Sequence, residues 1–151
     1  MNIDLKKQVH EHCKSRLENQ ISGLQAELQQ YKLAVSDETK SSVGDKYETG
    51  RAMLHLEQER LFKQLAEAER LYNLLISLKS DQNFAKVQPG SLVETNQGLF
   101  FFAIGLGQVK INDLTVFCVS LKSPIGQALA NRKVGETVFF QQQQWTIVNI
   151  V

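Results

Sequence analysis

An α+β chain is predicted: a long N-terminal helical hairpin, then a small antiparallel β-domain carrying one short helix. Three observations carry that expectation. Residues 1–80 contain no proline and are rich in Leu, Gln, Glu, Lys and Ala, whereas residues 85–151 hold both prolines and most of the glycines. The first part shows two apolar series that step by alternating threes and fours, the signature of a helix with one buried stripe. The second part shows short runs of Val, Ile, Phe and Thr broken by turn residues, which is how half-buried strands read.

The first helix follows from Cys13, Leu17, Ile21, Leu24, Leu28, Tyr31 and Val35. Their spacing predicts a helix over about residues 3–35. The second follows from Leu54, Leu61, Leu65, Ala68, Leu71, Leu75 and Leu78, predicting a helix over about 46–79. Between them lies a polar stretch of about ten residues, "VSDETKSSVGD". Two amphipathic helices so joined bury their stripes by folding back on each other as an antiparallel hairpin. At 1.5 Å per residue the rod is roughly 45 Å long. Gly50 costs about 1 kcal/mol of helix propensity and softens the second helix near its start.

The composition changes across "SLKSDQNFAKVQPG", which puts the boundary near Asp81 to Val87. The expected domains are a hairpin over 1–80 and a β-domain over 85–151. Strands are expected in "GSLVETNQ", "GLFFFAIGLG", "LTVFCVSL", "ETVFFQQQQ" and "WTIVNIV". Asn96-Gln97-Gly98 and Ile111-Asn112-Asp113 read as hairpin turns, and Gly105-Leu106-Gly107 as a turn too short to cradle phosphate. In "SPIGQALANRKVGE", Ser123 is a helix cap and Pro124 suits the first helical position. Ile125, Ala128 and Leu129 would face a core. The aromatics at 100–102 and Trp145 are expected to pack in that core or on one sheet face.

The bulk numbers narrow the function classes. A chain of 151 residues with a formal net charge of +1 makes no whole-molecule case for nucleic-acid binding. It holds no run of 18 apolar residues and so no expected membrane span, and its first residues lack the apolar core of a signal peptide. Cys13 and Cys118 read as buried thiols of a reducing cytoplasm. The cytoplasm is the expected location, and a monomer the expected state for an intramolecular hairpin.

Two acids stand at the turn of the hairpin. In "SSVGDKYETG", Asp45 and Glu48 are three residues apart. That spacing is a capping box, with Gly44 freeing the loop before it. Asp37 and Glu38 crowd the same end, offset in part by Lys40 and Lys46. Like charges so gathered repel unless a cation comes to them. Elsewhere the chemistry is sparse. His10, Glu11, His12 and Cys13 look metal-like, but helix positions two apart point to different faces. His55 is isolated, and no Ser/His/Asp or Cys/His set stands out. The chain has no evident self-contained active site, so any chemistry it joins is completed by another macromolecule.

"SPIGQALANRKVGETVFF", Ser123 to Phe140, resembles the C-terminal signature of the bacterial Gre transcript-cleavage factors. That signature runs Ser-Pro-(Ile/Leu)-Gly-x-Ala-Leu, then Lys-x-Gly-(Asp/Glu) before a strand. Gly44, Asp45 and Glu48 likewise match the family's Gly-Asp-x-x-Glu at the hairpin tip, and the layout is similar over the whole chain. The resemblance implies an FKBP-like β-domain that binds RNA polymerase at the mouth of its secondary channel, with Ser123, Pro124, Ile125 and Gly126 in the contact. It implies that the coiled coil enters the channel towards nascent RNA. Asp45 and Glu48 would then help hold a Mg²⁺ shared with the polymerase and not stably bound by this chain alone. The chain is then no enzyme itself; it stimulates the polymerase's own endonuclease on backtracked RNA. Two-metal hydrolysis needs such hard carboxylate ligands.

The match has departures. Where the family commonly continues Asn-Ala-Glu-Tyr after the tip Glu, this chain has Thr49, Gly50, Arg51 and Ala52, and Lys122 precedes Ser123. Arg51 brings a positive charge beside the acids. Some relatives of this shape occupy the channel without stimulating cleavage, and a regulator of that kind is the nearest alternative. An FKBP-like binding module or prolyl isomerase with a chaperone-like arm is a second, and a coiled-coil dimeriser a third.

Overall fold

The computed structural model describes the backbone of residues 1–40 and 44–151 and the side chains of residues 1–37 and 48–151. The fold is α+β. Two long helices, α1 (Ile3–Lys40) and α2 (Gly44–Ser77), precede a mostly antiparallel sheet of six strands with one short helix. Two compact units divide it. One is Arg16–Tyr72; the other joins Met1–Ser15 to Asn73–Val151.

The helix bounds differ from those the apolar stripes predict, and α2 ends at Ser77, short of the expected end near residue 79. α1 continues past Val35 to Lys40, and α2 begins at Gly44 rather than near residue 46. The reason is local: Ser36 to Lys40 contain neither Gly nor Pro, so nothing stops the helix once the stripe ends. Asn2 caps α1, its Oδ1 accepting from the Leu5 amide at 2.9 Å.

In the unit Arg16–Tyr72, Leu24, Leu28, Leu61 and Ala68 form a buried seam, with Ile21, Tyr31 and Leu65 packed against it. These are the predicted stripe residues. The helices are antiparallel: Tyr72, late in α2, donates to Glu18, early in α1, at 3.3 Å. Further back in α2, Arg60 lies in the field of Glu27 and Tyr31. The exposed pairs Arg60–Glu57 and Arg70–Glu67, each at 2.8 Å, decorate the outer face and add little stability.

The other unit holds the sheet, in the order β3-β4-β2-β1-β6-β5. Its strands are β1 (Leu92–Thr95), β2 (Gly98–Phe102), β3 (Gly107–Ile111), β4 (Leu114–Val119), β5 (Thr137–Phe140) and β6 (Gln143–Ile150), with α3 (Pro124–Leu129) between β4 and β5. Two features depart from expectation. "GQVKI" is a strand that the sequence reading missed, and β2 pairs parallel with β4. All other neighbours are antiparallel.

The run Phe100-Phe101-Phe102 is buried throughout because the sheet is covered on both faces, which favours continuous apolar strands over alternating ones. Phe100 and Phe102 join Val87, Val93, Leu129, Ile147 and Ile150 in one core. Phe101 alternates to the other face. There it meets the edge of the His10 ring, centroids 6.4 Å apart, among the first turns of α1, whose Leu5, Val9 and Cys13 are buried.

The β5–β6 hairpin turns on Gln141 and Gln142, both at positive φ (48° and 61°). Two-residue hairpin turns with both residues left-handed favour Asn-Gly, because other side chains are strained there. The double substitution Gln141→Asn with Gln142→Gly should raise stability by about 1 kcal/mol. A urea midpoint that falls would show the glutamines making contacts of more worth than their strain costs.

Candidate functional site

The two stretches singled out by sequence lie at the start of α3 and the start of α2. At α3 the local logic is a cap. Ser123 takes extended backbone angles (φ −66°, ψ 159°), and its Oγ accepts from the Gly126 amide at 3.1 Å. The same hydroxyl donates to the Ser120 carbonyl at 2.5 Å. Pro124 opens the helix, where its missing N–H costs nothing. Gln127 Nε2 closes the turn onto the Lys122 carbonyl at 2.9 Å.

This geometry sorts the four residues of the expected contact. Gly126 is buried, because a Cβ there would meet the Ser120 oxygen at 2.4 Å and the Leu121 Cα at 2.6 Å. Ile125 is half-buried and packs against the core that includes Phe102 and Leu129. Ser123 is half-buried and occupied as a cap. Only Pro124 of the four is exposed, flanked by the exposed Lys122 and Gln127. The outward chemistry of this turn is one proline ring, one cation and one amide.

At α2, positions 45 and 48 fall in the first turns of the helix, so Asp45 lies inside the helix rather than just before it. The side chain of Asp45 lies outside the described residues, as does that of Glu38. Glu48 and Asp37 are exposed, as are Thr49 and Arg51. Glu48 offers a hard oxygen ligand at a helix N-terminus.

Near the base of α1 the two histidines diverge. His10 Nε2 lies 2.9 Å from the Leu75 carbonyl and donates to it. His12 lines an open groove of about 430 Å³ with Gln8, Glu11, Ser15, Lys110, Ile111 and Asn112. Sequence reasoning did not find this groove, since β3 was not read as a strand. Among the described residues no three His, Cys, Asp or Glu side chains gather as a metal site, and no helix is long and apolar enough to cross a membrane. The aromatics pack on one another. Phe100 lies 5.2 Å from Phe117 and 5.3 Å from Trp145, centroid to centroid.

Among the described residues, Lys6 is a perturbed group that the sequence did not point to. It is fully buried, donates to the Gln82 carbonyl and sits 4.3 Å from the centre of the Phe84 ring. Burial lowers its pKa from 10.5 to about 8, with Asp81 opposing. Below pH 8 both folded and unfolded chains carry the proton, and the folded state bears the cost of the buried charge. Between about pH 8 and 10.5 the unfolded chain holds a proton that the folded chain has released, so this group's contribution to stability rises with pH. Lys6→Met keeps the apolar stem and removes the titration. The wild-type minus variant difference in urea stability should therefore climb between pH 8 and 10.5, and a flat difference would refute the assignment.

No family model matches this chain, and neither a curated protein nor a solved structure matches it significantly.

Proposed function

We propose that this chain is a transcription elongation factor of the Gre type, which binds RNA polymerase at its secondary channel and stimulates Mg²⁺-dependent cleavage of backtracked RNA. One observation carries the reading: a single chain joins Gly44-Asp45-x-x-Glu48, at the start of the second helix of an antiparallel hairpin, to Ser123-Pro124-Ile125-Gly126-x-Ala-Leu at a capped helix beside the sheet. Each motif alone is a helix start. Their combination, with this order of elements, is what resembles the family.

The division of labour follows from the chain's own residues. The capped turn of α3 presents Lys122, Pro124 and Gln127 to the polymerase rim, while Ser123, Ile125 and Gly126 hold that turn in shape. The hairpin carries Asp45 and Glu48 to the RNA. Their carboxylates suit a hard cation that keeps several waters. A Mg²⁺ bound there supplies a polarised water and neutralises charge on the phosphodiester. Glu48 is exposed and needs no rearrangement of a core to reach a ligand.

A second reading is favoured by Arg51, exposed on α2 three residues after Glu48. A cation there competes with Mg²⁺ for the carboxylates, and a protein that only occupies the channel would tolerate it. Stalled elongation complexes with end-labelled RNA, mixed with the full chain, test both. Shortened RNA that depends on Mg²⁺ supports the cleavage factor. Binding without shortening supports the channel occupant, and absence of binding overturns both.

A further inference from the structure

We propose that Cys13 and Cys118 form a redox couple, in which an oxidant closes the two thiols into an intramolecular disulfide that clasps the base of α1 to β4. Their Sγ atoms lie 3.4 Å apart, although the residues are 105 positions apart in sequence. Neither is in a disulfide, and both are fully buried. Cys118 sits on an inner strand, between β3 and β2, opposite Phe101. Cys13 sits one helical turn beyond Val9 on the α1 face that covers this side of the sheet. Both positions belong to the same compact unit.

A disulfide bond is about 2.05 Å long, so closure moves the sulfurs together by roughly 1.4 Å. The chemistry balances with hydrogen peroxide as oxidant. One thiol sulfur is oxidised to a sulfenic acid, and its proton leaves with the departing oxygen as water. The second thiol sulfur then displaces the sulfenic oxygen, which takes up the second thiol's proton and leaves as another water. Two electrons pass from the sulfur pair to peroxide. The contact decides the outcome: a sulfenic acid already touching its partner thiol condenses before a second oxidant arrives. The apolar surroundings of Val9, Phe101 and Val116, all buried, keep bulky thiol reagents out and admit a small neutral oxidant.

The consequence is mechanical. Closing so long a loop removes freedom from the unfolded chain, and the melting midpoint should rise by roughly 10 °C. Oxidation thereby locks the root of the helical hairpin to the sheet, and a dithiol reductant releases it.

The test uses the full reduced chain in native buffer, treated with hydrogen peroxide, then denatured and labelled with a maleimide. The expected product is monomeric, has lost two hydrogens, takes up no maleimide and yields a cross-linked peptide pair containing Cys13 and Cys118. Its midpoint rises, and dithiothreitol reverses both changes. Cys118→Ala should show no oxidant-dependent rise and should gain oxygen at Cys13 instead. If that variant fails to fold, the wild-type mass and cross-link decide alone. Two thiols still fully labelled, oxygen added at either cysteine of the wild-type chain without a cross-link, a disulfide between chains, or a bridge that forms only in denaturant would each overturn the proposal.

Discussion

Replacing Asp45 with Asn and Glu48 with Gln together should abolish cleavage of backtracked RNA, while melting temperature and polymerase affinity stay unchanged. The expected loss is roughly a hundredfold or more in rate, since the pair supplies charge to a metal that acts in the transition state. The isosteric changes separate two roles that share one spacing. As first-turn helix residues, Asn and Gln forfeit only a modest carboxylate interaction with the helix dipole, so a structural role alone predicts little effect on any readout. As ligands for a hard cation, neutral amides are much poorer. The exposure of Glu48 means its neutralisation leaves no buried group unpaired, so stability is a clean control. Asp37, also exposed, and Glu38 provide the comparison: Asp37→Asn with Glu38→Gln should lower cleavage far less. Equal cleavage by wild type and the 45/48 variant would return those acids to a helix start and leave a channel occupant.

Gly126→Ala should be the most damaging single methyl in the described part of the chain. The added Cβ would lie 2.4 Å from the Ser120 oxygen and 2.7 Å from the Leu121 carbonyl carbon. Those are backbone atoms that cannot swing aside as a side chain can. Either α3 lifts off, exposing Leu129 and Ile125, or the Ser120–Leu121 turn deforms and breaks the Ser123 cap. The expected cost is roughly 3 kcal/mol, a fall of about 6–12 °C in melting midpoint for a chain of this size. Pro124→Ala, next to it but exposed, should cost less than about 1 kcal/mol. The pair also disentangles docking from folding. If the turn touches polymerase, Lys122→Glu and Pro124→Glu should weaken binding with the fold intact, whereas Gly126→Ala should weaken it only as far as it unfolds α3. A Gly126→Ala protein with wild-type stability would mean that the turn relaxes more freely than its contacts imply.

Much of the fold was legible because its signals are local. The seam residues Leu24, Leu28, Leu61 and Ala68 are buried where their spacing put them. Ser123 caps α3 as its neighbours predicted. The helix ends differ from the expected ones because an apolar stripe marks only the buried face, and polar residues such as Ser36 to Lys40 extend a helix beyond it. β3 was missed because an edge strand with Gln108 and Lys110 exposed and only Val109 and Ile111 buried carries too few apolar residues to stand out beside "GLFFF". The candidate site was legible as two motifs but not as a surface. That Pro124 faces out while Ile125 and Gly126 face in depends on where the Ser120–Leu121 backbone passes, and no window of sequence around residue 125 contains that.

Periodicity, capping chemistry and turn residues alone were enough to set two long amphipathic helices, their antiparallel return, a β-rich second part and a proline-started helix within it. These depend on interactions a few residues apart, and a short stretch of sequence holds every partner involved. The tertiary structure decided the rest. It inserted β4 between β3 and β2, with β2 and β4 running parallel. It covered the second face of the sheet with the first turns of α1, buried Lys6 against Gln82 and Phe84, and brought Cys13 within 3.4 Å of Cys118. In each case the partner lies far along the chain. Which distant groups meet is settled by the packing of whole faces, because water is excluded only when both sides of the contact are in place.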